Sequence, residues 1–199
     1  MNREFIPVAL SGIKPGVEQH LASLPGVIDS FLEEHFLASN HYLIQQNGET
    51  AGFASIHGQT LITQFSLDEP FRKFGQERFR QLRAMEKVQS AFVPTFDDFF
   101  LAHALDDYRQ LEKQAYFFRP APWSMRSAVG WHWTQELARS ADAGFIRSHT
   151  GDFFDDLERR IESEEAFFTL RQGNRVGMGL MVRSRFYADV ASIGMYTIE

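Results

Sequence analysis

Apolar residues Phe5, Ile6, Val8 and Leu10 mark the stretch from Glu4 to Leu10 and predict a strand. The spacing then lengthens, and Gly16 to Leu24 and Ile28 to Leu37 predict two short helices. In the second, Phe31, Leu32, His35 and Phe36 recur at helical spacing behind an Asp29-Ser30 start suited to capping. His41 to Gln46 predicts a strand, Asn47-Gly48 a two-residue hairpin turn, and Thr50 to Ile56 a second strand. His57-Gly58-Gln59 is a further turn, and Leu61 to Leu67 completes a three-strand meander. Pro70 to Lys73 interrupts the pattern, and Gly75 leads into a helix over Gln76 to Met85 with Phe79 and Leu82 on one face. Val88 to Val93 predicts a buried strand, Asp97 to Leu105 a helix, and Gln114 to Phe118 a last strand.

Arg119-Pro120-Ala121-Pro122 is the strongest linker signal, because prolines so close together continue neither a helix nor a central strand. It divides the chain into residues 1–120 and 121–199. Beyond it, Met125 to Val129 predicts the start of a new sheet, and Thr134 to Ala141 and Phe153 to Ser163 predict helices. Ala166 to Leu170, a Gln172-Gly173-Asn174 turn, Val176 to Val182 and Val190 to Thr197 repeat the meander. Sliding the chain by about 125 residues superposes the two patterns without a gap. Leu32 falls on Leu157, Glu33 on Glu158, Phe36 on Ile161, Gly48 on Gly173 and Gly52 on Gly177. The expected class is mixed α+β, with a mostly antiparallel sheet flanked by helices and a partial second copy.

Composition narrows the function. A 44% hydrophobic and 23% charged chain is that of a globular protein, and a net charge of -6 lacks the cationic footprint for a nucleic-acid backbone. With no cysteine there is no disulfide, no thiolate nucleophile and no zinc-thiolate site, which agrees with a cytoplasmic setting. No signal-peptide core opens the chain and no apolar run reaches the ~18 residues of a membrane span.

Candidate chemistry concentrates after the first meander, in Leu67-Asp68-Glu69-Pro70-Phe71-Arg72-Lys73-Phe74-Gly75-Gln76-Glu77. A helix, an Asn-Gly hairpin, a third strand and then Arg-x-x-Gly opening a helix resembles the GNAT superfamily of N-acetyltransferases, and the second unit resembles the first half of another such copy. The resemblance implies a GNAT fold, acetyl-CoA as donor, and a small-molecule or peptide amine as acceptor. It also implies contact between the coenzyme and Leu67, Arg72, Lys73, Phe74, Gly75 and Gln76. The physical basis is the affinity of helix-start amides and nearby cations for phosphate. Glu77 departs from the family's Gly or Ala, and Phe100 stands where the family often has a proton-donating Tyr. On the family's pattern the chain ends shortly before the second copy's arginine, leaving the third strand's outer edge unpaired and open to association with another copy.

Other groups have simpler readings. Asp97-Asp98 suits a helix cap, Asp106-Asp107 a solvated end, and His103 a surface or capped helix position. His132, His149 and Asp152 lack HxxxH or HExxH metal spacing. Trp123, Trp131 and Trp133 suit a domain interface. The catalytic acid and base stay unassigned. Two functions remain, acyl-CoA-dependent N-acetyl transfer and a non-catalytic GNAT-like ligand-sensing or assembly module.

Overall fold

In the computed structural model, which describes residues 4–85, 87–106, 108–114, 133–151 and 154–197, the Asn-Gly turn is the exposed tip of a hairpin in the first unit. Asn47 and Gly48 both take positive φ, 54° and 86°, the geometry that matches a two-residue turn to the twist of its strands. The turn joins β2 (Asn40–Gln46) to β3 (Glu49–His57), and β4 (Leu61–Leu67) completes the meander. β1 (Phe5–Val8) pairs antiparallel with β2, and β5 (Ser90–Ala91) pairs parallel with β4, giving the order β1-β2-β3-β4-β5.

The sheet is covered on both faces. α1 (Leu10–Ser23) and α2 (Ser30–Leu37) bury Ile13, Val17, Leu21, Leu32 and Phe36 against one face. α3 (Gly75–Arg83) and α4 (Asp98–Leu105) close the other over Ile44, Ile62, Phe65 and Leu67 with Phe79, Leu82 and Phe100. Each such side chain contributes about 1.5–3 kcal/mol by leaving water. The buried Arg78 fastens α3 to the sheet, pairing with Glu4 and donating to Gln46 Oε1 and, at 2.7 Å, to Gln81 Oε1.

Two expectations change in this unit. α1 starts at Leu10, before the Gly16 expected, and passes through Pro15. A proline so near the helix start removes a single backbone bond, and the buried series Ile13, Val17, Leu21 offsets that loss. β5 is two residues long where six were expected, because β4 bends away from it and Pro94 follows.

The chain divides into two compact units, Met1–Ala115 and Tyr116–Glu199. The expected boundary at Pro120, the expected sheet start over 125–129 and most of the expected strand over 114–118 lie outside the described residues. The second unit comprises β6 (Trp133–Leu137), α5 (Ala143–Thr150), α6 (Leu157–Glu162), β7 (Ala166–Arg171), β8 (Asn174–Arg183) and β9 (Ala191–Thr197). Its sheet runs β6-β7-β8-β9, antiparallel throughout, around Ile146, Leu157, Ile161, Phe168 and Met178. The helix expected over Thr134 to Ala141 is instead strand β6 followed by a 3-10 turn, Ser140–Asp142. Five paired residues along β7 outweigh the local helix preference of Gln-Glu-Leu-Ala-Arg. Arg175 locks this corner, with Nη1 2.8 Å from Asp142, Nη2 2.9 Å from Glu136, and the guanidinium 3.8 Å over the Phe168 ring.

The two meanders agree in register. β2 and β3 slip between Ile44 and Gln45, with Gly52 opposite Ile44; β7 and β8 slip between Thr169 and Leu170, with Gly177 opposite Thr169. Gln172 and Gly173 repeat the positive-φ turn, at 53° and 82°. Among the described residues, each unit thus contains a strand, two helices and a three-strand meander in that order. No described helix is long and apolar enough to cross a membrane.

Candidate active site

β4 carries the irregularity that shapes the site. Ser55 pairs with Gln64 and Ile56 with Ile62, so Thr63 is an extra residue on β4. Such a bulge bends and twists its strand. On the other side, β5 matches β4 only at Leu61 and Ile62, with a last bond from Phe92 N–H to the Ile62 carbonyl at 3.0 Å. Among the described residues no strand pairs with that side of β4 from Thr63 to Leu67, and the sheet splays there.

A polar cluster crosses one face of β4 at this point. His20, in the last turn of α1, places Nε2 2.9 Å from Asp97 Oδ2 and Nδ1 3.2 Å from Ser66 Oγ. The imidazole and carboxylate are buried, with 8% and 2% side-chain exposure. Asp97 also accepts the Phe100 N–H on Oδ1 at 3.1 Å, the capping role its position suggested. Gln64, two residues before Ser66 and on the same side of the strand, is buried, and its Oε1 has no hydrogen-bond partner among the described residues. A buried amide oxygen without a donor is costly, and such atoms recur where a ligand completes the site.

The opposite face of β4 is apolar. Phe65 stacks on Phe99 with centroids 5.6 Å apart and meets Phe79, Phe100 and His103. Phe100, at the family's tyrosine position, is fully buried and has no proton to give. His103 is neither a surface nor a capping residue. It is held edge-on by Phe65 and Phe99, with Asp106 3.7 Å from Nδ1.

Between β4 and α3 the chain forms a 3-10 turn, Glu69–Phe74, that runs directly into the helix. Phe71 N–H bonds the Asp68 carbonyl and Gly75 N–H bonds the Arg72 carbonyl, so these amides are engaged within the turn. Of the six residues expected at the coenzyme, Leu67 is buried in the core, Phe74 half-buried and Gly75 buried, while Arg72, Lys73 and Gln76 are exposed. Arg72 lies 5.4 Å over the Phe99 ring. Gly75 has ordinary helical geometry, and its missing side chain is explained by His103, whose Nε2 would lie 2.3 Å from an added Cβ. Glu77 is exposed and accepts from Gln81 Nε2 at 3.3 Å.

A family model described as an acetyltransferase (GNAT) domain matches residues 9–121, more than half of the chain. The chain belongs to the GNAT acetyltransferase family. Among solved structures, a GNAT-family acetyltransferase from Colwellia psychrerythraea has a similar fold, with a TM-score of 0.71 at 15% identity, covering 98% of this chain and 77% of that one. No curated protein matches by sequence. The GNAT match contains the splayed strand, the loop and all four members of the polar cluster. A groove of about 370 Å³, lined by Val8, Leu10, Leu37, Ser39 and His41, lies toward the β1 side of the sheet, and its Ser39 reaches the bulge residue Thr63 at 2.9 Å. The GNAT reading favours the β4 edge over that groove, because among the described residues an unpaired strand edge, the orphaned Gln64 acceptor and the exposed Arg72 and Lys73 belong to β4 and the loop that follows it.

Sequence reasoning missed His20, Ser66 and Gln64, and saw Asp97 only as a cap. His20 is 77 residues from Asp97 and 46 from Ser66, and no local spacing rule joins them. The one available signal was that Asp97 offers two oxygens and a helix cap uses one.

Proposed function

We propose that this GNAT chain is an acyl-CoA-dependent N-acetyltransferase that moves an acetyl group from acetyl-CoA to the amine of a small molecule or peptide. The observation that carries the reading is the departure of β4 from β5 at the Thr63 bulge, beside a loop that exposes Arg72 and Lys73. An open strand edge suits the amides of a pantetheine arm, and two cations suit a diphosphate. In this reading Arg72, Lys73 and Gln76 meet the diphosphate, Gly75 and Phe74 shape the turn, and Leu67 anchors the strand end. Acetyl-CoA supplies the activated thioester, and backbone N–H groups of the open edge polarise its carbonyl oxygen. The repeated register and turns support reading residues 1–120 as one GNAT-like unit and 121–199 as the first half of another, with a cytoplasmic setting suggested by the absence of cysteine.

The test is release of free thiol from acetyl-CoA by the full chain, with a panel of small primary amines and lysyl peptides. The chain has no cysteine, so a thiol reagent reports coenzyme A alone. Amine-dependent release is expected, and its absence across the panel argues for the second reading. That reading is a GNAT scaffold kept for ligand sensing or assembly, favoured by Glu77 at the loop, the engaged turn amides and Phe100 at the tyrosine position.

A further inference from the structure

We infer that Ser66 and His20 form the proton relay that deprotonates the acceptor amine, with Asp97 as the residue that positions His20; the inference rests on the transferase reading above. The three come from β4, the end of α1 and the start of α4, and are joined at 3.2 Å (Ser66 Oγ to His20 Nδ1) and 2.9 Å (His20 Nε2 to Asp97 Oδ2). An ionised carboxylate only accepts, so Nε2 carries the imidazole proton and donates it to Asp97. Nδ1 is then the bare nitrogen, and the Ser66 hydroxyl donates to it. The Ser66 oxygen keeps its lone pairs for a donor from outside the protein.

Gln64 identifies that donor chemistry. Its buried Oε1 is a second acceptor without a donor, on the same side of β4 as Ser66. A primary amine has N–H groups for both. One bonds Gln64 Oε1 and fixes the nitrogen, and the other bonds Ser66 Oγ and is the proton to be removed. As the new N–C bond forms to the acetyl carbonyl carbon, that proton passes to Ser66 Oγ and the serine's own proton passes to His20 Nδ1. The C–S bond breaks with its electron pair on sulfur, and the thiolate takes a proton from water. The imidazolium, held by Asp97, returns its proton through Ser66 to solvent. One N–H is lost and one S–H gained.

Asp97 also has a purely structural role, and the two are separable because they use different oxygens. Oδ1 caps α4 at Phe100 N–H, and Oδ2 faces His20. Asparagine caps a helix as well as aspartate does. Asp97→Asn therefore keeps the cap, but its amide nitrogen donates toward Nε2 and forces the proton onto Nδ1, which abolishes the base. With acetyl-CoA and the amine panel, Asp97→Asn is expected to melt close to the wild-type temperature. Its kcat is expected to fall about 10²–10⁴-fold with the KM for acetyl-CoA unchanged. Ser66→Ala is expected to lose about 10²-fold in kcat in the same assay.

Nitrogen-15 NMR of the wild-type chain is expected to show His20 protonated on Nε2 and bare on Nδ1, a result independent of turnover. A folded Asp97→Asn variant with wild-type kcat overturns the relay, as does the opposite tautomer. Acetyl-CoA alone leaving an acetyl group on Ser66 also overturns it, in favour of a covalent route. Absence of thiol release by the wild type, with the expected tautomer present, instead removes the transferase reading and the relay's role with it.

Discussion

Gly75 is one of the residues expected at the coenzyme, and its surroundings give another reason for the glycine. Its φ of -55° suits any residue, but an added Cβ would meet His103 Nε2 at 2.3 Å and Phe99 Cζ at 3.0 Å. Gly75→Ala is expected to cost about 1–3 kcal/mol in urea unfolding, and His103→Ala in the same chain to recover most of it. Wild-type stability in Gly75→Ala would return the glycine to a role at the coenzyme. The neighbouring charges act on the ligand instead. Arg72→Ala is expected to weaken acetyl-CoA binding about tenfold, and Glu77→Ala to strengthen it severalfold, both by calorimetry. Unchanged affinity in both variants removes the loop from the site. At this scale the sequence singles out Arg72 and Gly75 because they sit at fixed offsets from a strand end. The His20, Ser66 and Asp97 contact is not legible there, since tertiary folding alone brings them together.

Among the elements, β2 and β3 share a buried polar pair with a consequence for pH. His41 Nδ1 lies 2.8 Å from Ser55 Oγ, and burial pushes its imidazole below the usual histidine range. Its neighbours from the packed elements, Ser55 and the Phe36 ring at 5.1 Å, carry no charge to oppose that effect. The unfolded chain therefore binds the proton more readily than the folded one, so this contribution to stability is present above the unfolded pKa of about 6.5 and is lost as pH falls through it. Urea titrations at pH 7.5 and pH 5 are expected to show lower stability at the acid value. His41→Gln, which keeps a partner for Ser55 and does not titrate, is expected to shrink that difference. An unaltered pH dependence in the variant would assign acid sensitivity elsewhere. The meander to which this pair belongs was legible in full, since two-residue turns and alternation fix strands locally. β6 was not, because the Trp133–Leu137 segment is a strand only through its pairing with β7. α5 was missed for a related reason: it buries Ile146 alone and shows no apolar stripe.

At the scale of the whole molecule, every group of the candidate site belongs to the first unit, Met1–Ala115, while the described elements of the second follow the same order of strand, helices and meander. Leu157, buried in the second unit's core at the position aligned with Leu32, separates stability from function. Leu157→Ala is expected to destabilise the chain by about 2–5 kcal/mol in urea and to leave acetyl-CoA affinity unchanged at temperatures where it stays folded. A large loss of affinity in the folded variant would place part of the site in the second unit. The fold class was legible because both meanders follow from turn chemistry, but the working groups lie on three elements whose meeting depends on how helices cover the sheet. We propose above that the β4 edge and the Arg72–Lys73 loop hold coenzyme A. Calorimetric titration of the full chain with acetyl-CoA and with desulfo-CoA tests it most directly. Both ligands are expected to bind with one site per chain and dissociation constants below roughly millimolar, weakened together by Arg72→Ala. Failure of both to bind in that range would contradict the claim and leave the GNAT scaffold without its donor.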